Sequence, residues 1–419
     1  MVVKELKEKI RKALFSESNT LFSREEFKEK DLRNAISRAI NDVIHHEKLP
    51  VSEQDKIRIA NELFDELMGF GPIESLIQDP EITEIMINGP KKIYFEKGGK
   101  SCLSGLAFDD ESRLMFLIYK ILASTRRHVD EYTPFTDVSL EDGSRVNIII
   151  PPLALDGPVV TIRRFLKNIG CVEDLINFKT LDRRMADFLV ASVKAKVNII
   201  FTGATGSGKT TTLNALSTYI SNDDRIVTIE DTAELRLAQE HVVRLEGRQA
   251  NIEGKGEVSL RDLFRNSLRM RPERIILGEI RGPEALDMLQ AICSGHTGSL
   301  SILHANSPQD AIYRLETMVL TSGLPMTLEA INRQIAAAIN LIVQQEQLID
   351  GSRKITQIAQ VNGLNNSQVV LEDIFRYELE EIYEGSVKGT WKATGRTPVF
   401  YPLFKKAGLD LPLDLFTKD

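Results

Sequence analysis

Apolar residues recur every three or four positions in the first 70 residues, with Lys, Arg, Glu and Asp between them. This spacing places apolar side chains on one face of a helix, so it predicts three short amphipathic helices. The three apolar stripes are Leu6, Ile10 and Leu14; Leu32, Ile36, Ile40 and Val43; and Ile57, Ala60, Phe64 and Leu67. Because such helices can bury one another, we expect residues 1–70 to form a small helical bundle.

From residue 71 to residue 165 the pattern changes to mixed helix and strand. An apolar stretch at 114–122 predicts a buried helix. Short β-branched and apolar runs, separated by Asn-Gly-Pro, Pro-Pro and Asp-Gly-Pro turn signals, predict strands. These runs are 82–87, 93–96, 146–150 and 159–162. We therefore expect a small α+β domain over residues 71–165, followed by a linker at 166–180 that has no strong periodicity.

From residue 181 to residue 419 predicted strands and helices alternate, which indicates an α/β domain. Such alternation is typical of a parallel sheet with helices on both of its faces. The first elements are a helix at 185–195, a strand at 198–201, a helix at 210–220 and a strand at 225–229. After about residue 351 the pattern becomes less regular, and only a short strand-like stretch at 355–361 stands out.

Composition limits the class of protein. The 419 residues include 53 Lys+Arg and 60 Asp+Glu, a net charge of −7, so the chain lacks the basic bias of a typical nucleic-acid binder. Its three cysteines form no C-x-x-C pair, which excludes a disulfide framework and a four-cysteine zinc site. The N-terminus is charged, and no apolar run approaches the roughly 18 residues of a membrane span. We expect a cytoplasmic protein whose membrane association is peripheral.

The strongest chemical signal lies between the predicted strand at 198–201 and the predicted helix that follows. Residues 203–210 fit the pattern G-x-x-x-x-G-K-[ST], whose glycines let successive backbone N–H groups face a phosphate. Lys209 is expected to reach the β- and γ-phosphates of ATP, and the Thr210 hydroxyl to bind Mg²⁺. The predicted nucleotide-binding residues are Gly203, Ala204, Thr205, Gly206, Ser207, Gly208, Lys209, Thr210 and Thr211.

Acidic side chains end two further predicted strands. Glu230 and Glu234 end or follow the strand that begins at residue 225, and Glu279 follows the apolar run at 274–278. A P-loop that hydrolyses ATP needs groups that hold the metal and the attacking water. Glu279 stands in the place of a Walker B acid, near Mg²⁺ and its waters. Either Glu234 or Glu230 is the candidate to orient and deprotonate the water.

Two histidines and three arginines complete the candidates. His296 and His304 flank a predicted strand at 299–303, and each is either a structural or a catalytic residue. Arg145, Arg163 and Arg164 lie at predicted strands of the α+β domain, outside the P-loop unit. Phosphoryl transfer gains from an arginine that reaches the γ-phosphate from another domain or subunit, so these three are candidates for that task.

These segments resemble the secretion and type IV pilus ATPases of the RecA-like superfamily, and most closely the Tad/Flp pilus assembly ATPases of the CpaF/TadA type. The resemblance covers nearly the whole chain. Besides the P-loop, it rests on an Asp box (228–235), a Walker B segment (268–282) and a His box (295–306). Flanking segments at 69–74, 83–89, 143–165 and 314–319 also look like that family.

The resemblance implies a ring-shaped homo-hexamer with a PAS-like N-terminal domain and a RecA-like ATPase domain, preceded here by the helical bundle, with ATP between the two domains. It implies that Glu279 is the Walker B acid, that Glu234 is the first candidate for the catalytic glutamate, and that His296 and His304 couple the nucleotide to the subunit interface. Arg145, Arg163 and Arg164 look like the arginines that contact phosphate from the N-terminal domain. Type II secretion and many other pilus extension ATPases carry a four-cysteine zinc motif, and its absence here favours the Tad type.

The resulting hypothesis is a motor that docks on an inner-membrane platform protein and drives pilin insertion, with pilin extraction as a second direction. A type IV secretion traffic ATPase is the alternative with the same fold and chemistry. A nucleic-acid motor is a remote alternative, because the chain is acidic and lacks aromatic-basic loops. A scaffold that binds ATP without turnover is disfavoured, since such a protein has no need of Glu234 and Glu279. We therefore expect no nucleic-acid partner.

Overall fold

The computed structural model describes residues 9–10, 29–47, 51–123, 125, 127–140, 142–164, 170–248, 255–383 and 386–418. The chain divides into two compact units, Met1–Arg164 and Phe165–Asp419. Most of the predicted first helix, with Leu6 and Leu14, lies outside the described residues, and so does the first part of the predicted linker, 165–169. No helix among the described residues is both long enough and apolar enough to cross a membrane.

Two helices open the described part of the first unit, α1 (Glu29–Glu47) and α2 (Glu53–Leu67). They pack through a small buried core that includes Ile36, Ile40, Ile59 and Leu63. The predicted stripe on α2 is therefore rotated, because Ile57 is 61% exposed while Ile59 is buried. Ser52 caps α2 by accepting a hydrogen bond from the Asp55 N–H, which satisfies a backbone donor that has no partner within the helix.

An antiparallel sheet of six described strands follows, in the order β3-β2-β1-β6-β5-β4. Its strands are β1 (Ile82–Asn88), β2 (Ile93–Lys97), β3 (Lys100–Leu103), β4 (Phe135–Ser139), β5 (Arg145–Ile149) and β6 (Val159–Arg163). Two helices belong to the same unit, α3 (Glu74–Gln78) and α4 (Glu111–Ala123), and α4 contributes Leu114, Ile118 and Ile121 to the core. The sequence pattern missed β3 because all four of its residues are exposed, so it has no apolar face to reveal it.

The second unit contains a sheet of nine described strands, in the order β15-β14-β13-β12-β7-β11-β10-β8-β9. They are β7 (Ile199–Thr202), β8 (Ile226–Glu230), β9 (Val242–Glu246), β10 (Arg274–Leu277), β11 (Leu300–Leu303), β12 (Leu341–Gln347), β13 (Arg353–Asn365), β14 (Gln368–Tyr383) and β15 (Ser386–Ala393). The strands from β12 to β9 are parallel, as the alternation predicts, whereas β13, β14 and β15 extend the sheet antiparallel.

Helices connect the strands of this sheet and contribute to two buried cores. The described helices are α5 (Val172–Asn177), α6 (Arg183–Lys194), α7 (Lys209–Ser217), α8 (Leu260–Ser267), α9 (Glu284–Cys293), α10 (Pro308–Leu320), α11 (Leu328–Ala338) and α12 (Pro402–Lys406). The segment predicted as a linker departs from that prediction, because α5 buries Val172 and Leu175 in one of these cores. Six residues are too short for a helical period to show in the sequence.

The antiparallel extension is the largest element that the sequence pattern did not predict. Most residues in the second half of β14 are exposed, so the alternation of buried and exposed positions that marks a strand is absent there. Near β12 the extension does join the core, where Phe375 packs against Phe188 with ring centroids 5.8 Å apart.

Candidate nucleotide-binding and catalytic site

The P-loop joins β7, which is buried at every position, to α7. Gly203 and Gly208 have backbone φ values of +146° and +97°, in a range that residues other than glycine rarely adopt. A Cβ on Gly203 would also lie 2.0 Å from the carbonyl oxygen of Gln345, so a larger residue does not fit. The glycines of the motif are therefore required both by backbone conformation and by close approach of the neighbouring strand.

Lys209 begins α7, and its ammonium group lies inside the loop. Its Nζ donates to the carbonyl oxygens of Gly203 at 3.0 Å and Ala204 at 2.6 Å, and it lies 3.4 Å from Nδ1 of His304. The next hydroxyl, Oγ1 of Thr210, donates to Oε2 of Glu234 at 3.3 Å. Residues predicted from the sequence to bind phosphate, hold the metal and activate water are thus neighbours in space.

Glu279 follows β10 and lies between two groups from different parts of the chain. Its Oε2 accepts from Arg281 at 2.7 Å, and its Oε1 lies 3.3 Å from Nε2 of His304. An ammonium group can only donate, so Nδ1 of His304 is on the side where an acceptor is needed, and Nε2 is the ring nitrogen that faces Glu279. Burial acts to raise the pKa of Glu279, but hydrogen bonds from His304 and Arg281 outweigh it and lower this pKa to about 2. Glu279 is ionised at any physiological pH.

Glu230 ends β8 in a different environment. Its Oε1 accepts from the backbone N–H groups of Glu234 and Leu235, both at 2.8 Å, whereas its buried Oε2 has no hydrogen-bond partner. Burial raises the pKa of Glu230 to about 7, although the two backbone hydrogen bonds act to lower it. The carboxyl group holds the turn that carries Glu234 and does not itself contact Lys209 or Thr210 among the described hydrogen bonds.

Comparison with known proteins identifies the family to which this chain belongs. The family described as "Type II/IV secretion system protein" matches residues 66–382, well over half of the chain. The chain belongs to that family. A putative conjugal transfer protein of Mycobacterium tuberculosis (strain CDC 1551 / Oshkosh) is 33% identical over 300 residues, which cover 70% of this chain and 85% of that protein.

Further relatives of this type II/IV secretion system protein have related names. The type IV secretion system protein PtlH of Bordetella pertussis is 38% identical over 271 residues, 57% of this chain and 77% of PtlH. Among solved structures, the VirB11 ATPase of the Brucella suis type IV secretion system is 28% identical, with a TM-score of 0.38, over 70% of this chain and 97% of VirB11. The pilus retraction motor PilT with bound ADP is 20% identical, with a TM-score of 0.48, over 73% of this chain and 81% of PilT.

The two histidines of this secretion-family protein lie at opposite ends of β11. His304 follows the strand and joins Lys209 to Glu279, as described above. His296 precedes the strand, and its Nδ1 lies 3.3 Å from the carbonyl oxygen of Ala291 at the end of α9. Because the neighbouring strands are parallel, His296 is at the edge of the sheet opposite the P-loop, and the structure does not bring it to the phosphate site.

The three candidate arginines all lie in the first unit. Arg145 and Arg163 pair across β5 and β6, and Arg163 also pairs with Glu84 on β1. Arg163 is exposed. Nη1 of Arg164 donates to the backbone carbonyl of Asp79 and lies 3.4 Å from that of Leu76, so Arg164 anchors the chain ahead of β1. These contacts give Arg164 a structural task within its own unit.

Three residues of the site were not singled out by the sequence. Arg281 contacts Glu279 and also Asp231, at 3.2 Å. Its position two residues after the Walker B acid was the signal that would have revealed it. Gln345 and Arg353 contact the P-loop from β12 and β13, and nothing in their local sequence marks them.

The residues present fit a magnesium nucleotide. Ser207 Oγ is buried within the P-loop and has no hydrogen-bond partner, so the loop has an unused polar group. Hydroxyl and carboxylate oxygens of Thr210, Glu234 and Glu279 are the ligand type that Mg²⁺ prefers. Within the described residues, no three His, Cys, Asp or Glu side chains are arranged to hold a metal by themselves. Mg²⁺ bound together with a nucleotide needs only one or two protein carboxylates, so this arrangement suits it.

Proposed function

We propose that the chain is a cytoplasmic ATP-hydrolysing motor that assembles as a homo-hexamer and powers a Tad-type pilus at the inner membrane. The observation that carries the proposal is the convergence of Lys209, Thr210, Glu234 and Glu279 at one edge of the parallel sheet. A protein that only bound ATP would need no such acids beside the P-loop. Membrane association would occur only through partners such as an inner-membrane platform protein.

The proposed domain types follow from the same resemblance. The second unit is proposed to be RecA-like, which the position of β11 between the P-loop strand β7 and the acid-bearing strand β10 supports. The first unit is proposed to contain a PAS-like domain behind the helical bundle. Its arginines, Arg145 and Arg163 in particular, are proposed to contact phosphate.

Each side chain of the site is given one role. Lys209 and the N-terminus of α7 bind the β- and γ-phosphates, and the Thr210 hydroxyl and Glu279, the latter through water, hold Mg²⁺. Bound Mg²⁺ neutralises charge on the phosphate oxygens. Glu279 is a weak proton acceptor because its pKa is about 2, so its ionised form suits the metal rather than the water. Glu234 orients the attacking water and accepts its proton, and Glu230 holds the turn that positions Glu234.

The first test is Mg²⁺-ATPase turnover per subunit, measured against protein concentration with single-stranded DNA in a parallel series. We expect turnover per subunit to rise with protein concentration, because a site in a ring needs more than one subunit. We expect added DNA to leave turnover unchanged. Lys209→Ala is the control, and it should abolish turnover and weaken ATP binding in isothermal titration, since the phosphates lose their main cation. Unchanged affinity and turnover in Lys209→Ala, or stimulation by DNA, would contradict the proposal.

A type IV secretion traffic ATPase is the second candidate, and the names of the relatives favour it. Relatives named as conjugal transfer proteins or as type IV secretion system proteins match this chain over most of their own length. A gene deletion separates the two functions, with complementation by wild type and by Lys209→Ala. Loss of surface pili in electron micrographs supports the Tad assignment. Loss of plasmid transfer or of protein secretion with normal pili supports the second candidate instead.

A further inference from the structure

The P-loop strand β7 has a different neighbour on each side. On one side lie β11 and then β10, which are followed by His304 and Glu279. On the other side lie β12 and then β13, which carry the amide of Gln345 and the guanidinium of Arg353. The resemblance to known ATPases assigns no task to this second side. Its contacts with the P-loop involve Gln345 and Arg353.

Gln345 contacts the loop at both of its ends. Its backbone carbonyl oxygen lies against Gly203, as shown by the 2.0 Å separation from a Cβ built there. Its side-chain Nε2 lies 2.9 Å from a Cβ position on Gly208, and its Oε1 accepts from the Thr212 hydroxyl of α7 at 2.8 Å. Gln345 is only 2% exposed, so these contacts are shielded from water.

Arg353 contacts the middle of the loop. Its Nε donates to the carbonyl oxygen of Gly206 at 2.8 Å, and its Cδ lies 3.2 Å from a Cβ position on Gly208. In a trans peptide the carbonyl and the following N–H point in opposite directions. Holding the Gly206 carbonyl toward Arg353 therefore directs the Ser207 N–H away from Arg353.

That N–H points to the same place as the ammonium group of Lys209. The Ala204 carbonyl oxygen accepts from Lys209 Nζ at 2.6 Å and from the Ser207 N–H at 3.4 Å. The two donors thus converge within the loop, where a phosphate oxygen is the natural acceptor. Arg353 sets the direction of the Ser207 N–H, because it holds the carbonyl of the same peptide group on the opposite side.

We propose that Arg353 and Gln345 are positioning residues for the phosphate loop. Arg353 holds the loop in its phosphate-binding shape through its hydrogen bond to the Gly206 carbonyl. Gln345 does so through its close approach to Gly203 and Gly208 and its hydrogen bond with Thr212 of α7. The charge of Arg353 is not what binds the nucleotide. This inference rests on the proposed function, because it takes ATP as the ligand of the loop. Through Arg353 on β13, it assigns a task in nucleotide binding to the antiparallel extension of the sheet.

Two substitutions separate the hydrogen bond from the charge. In Arg353→Gln the amide Nε2 is as many bonds from Cα as the arginine Nε, so the donor is kept and the charge is lost. In Arg353→Met the side chain is as long as that of glutamine, but it has no hydrogen-bond donor. Arg333→Ala is the control, because Arg333 is exposed on α11 and pairs only with Glu329 of its own helix among the described ion pairs.

Isothermal titration with Mg²⁺-ADP and steady-state ATPase kinetics provide the measurements. We expect Arg353→Met to weaken ADP binding about 3- to 10-fold, the effect of one lost hydrogen bond, and Arg353→Gln to stay within about twofold of wild type. KM for ATP should rise in proportion, while kcat changes less than about twofold, because loop shape affects ground-state and transition-state binding alike. Gln345→Met should weaken binding in the same direction. Arg333→Ala should bind as wild type does.

Two results would overturn the assignment. Wild-type affinity in Arg353→Met, beside weakened binding in Lys209→Ala, would remove the positioning role and leave the proposed function intact. Equal weakening in Arg353→Gln and Arg353→Met would show that charge, and not the bond to Gly206, is what matters. If Lys209→Ala itself binds ADP normally, the proposed function fails first. Circular dichroism of every variant establishes that each is folded.

Discussion

Glu230 and Glu279 occupy similar places in the sheet and have opposite properties. Each lies at or just beyond the carboxyl end of a buried parallel strand, β8 or β10. Burial raises the pKa of Glu230 to about 7, even though two backbone N–H groups oppose the shift. For Glu279 burial also acts to raise the pKa, but His304 and Arg281 lower it to about 2.

The difference shows that a nearby cation or ring donor, rather than the place in the strand, decides which carboxylate is ionised. A charged side chain hydrogen-bonded to the carboxylate favours the ionised form by more than backbone N–H groups do. Two carboxyl groups with pKa values pushed apart are suited to separate tasks. Here the ionised Glu279 suits the metal side of the site, and the buried Glu230 suits the support of the turn that carries Glu234.

Glu279→Gln should have the largest effect of the variants that bear on this comparison. It removes the negative charge that His304 and Arg281 hold in place, and we expect turnover to fall about 10²- to 10³-fold, as for loss of one preorganised electrostatic group. The measurement is steady-state Mg²⁺-ATPase activity. Glu329→Gln is the matched control, because Glu329 is an exposed glutamate paired with a single arginine. Parent-level turnover in Glu279→Gln would place Glu279 outside the reaction.

Glu234→Gln should keep nucleotide binding and stall turnover, by about 10²-fold or more, because a positioned proton acceptor is lost. Its neighbour Thr210 can still donate to the amide oxygen, so the local structure is retained. Isothermal titration and single-turnover hydrolysis separate binding from chemistry, and we expect ATP to remain bound unhydrolysed. If this variant hydrolyses ATP at the parent rate, the base must be reassigned, with Glu230 first in line.

Glu230→Gln should change the pH dependence of stability. Because the folded-state pKa of Glu230 is near 7 and its ordinary value is 4.5, the stabilising effect of the protonated carboxyl is full below pH 4.5 and is lost as the pH rises to 7. Glutamine does not ionise. The free energy of unfolding of Glu230→Gln relative to wild type should therefore increase between pH 5 and pH 8, by at most about 3 kcal/mol.

Urea denaturation at pH 5 and pH 8 measures this change in the free energy of unfolding. For Glu279→Gln, measured at lower pH, the change relative to wild type has the opposite dependence on pH. The lowered pKa of Glu279 means that its stabilising effect is present above pH 4.5 and is lost as the pH falls toward 2. Wild type should therefore lose stability relative to Glu279→Gln below pH 4.5. A difference between Glu230→Gln and wild type that does not vary with pH would show that Glu230 does not titrate in this range.

The two histidines provide the smallest predicted effects. His304→Ala should lower turnover about fivefold, because Glu279 and Lys209 each lose one hydrogen-bond partner. His296→Ala should leave turnover within about twofold of wild type, since its described contact is at the other edge of the sheet. ATPase assays at a fixed, high protein concentration compare them. A large loss in His296→Ala would instead support the role at a subunit interface that the resemblance implies.

Short patterns in the sequence were enough to single out the candidate residues of the P-loop and of the acidic strand ends. The P-loop, Glu230, Glu234 and Glu279 were all found from short patterns at the ends of apolar runs. The predicted strand at 198–201 and the predicted helix at 210–220 agree with β7 and α7 to within a few residues. These predictions succeed because the period of apolar side chains depends on neighbours along the chain.

The sequence by itself thus determined the class of fold, the order of strands and helices around the P-loop, and the types of residue at the candidate site. Only the tertiary structure decided that His304 joins Lys209 to Glu279, that Glu230 is buried beside backbone N–H groups, and that Gln345 and Arg353 support the loop. The contacts of Lys209 with His304, of Thr212 with Gln345 and of Gly206 with Arg353 join residues 95 to 147 positions apart. Spacing along the chain does not specify them, because they depend on which strands become neighbours in the folded sheet and on how deeply each side chain is buried.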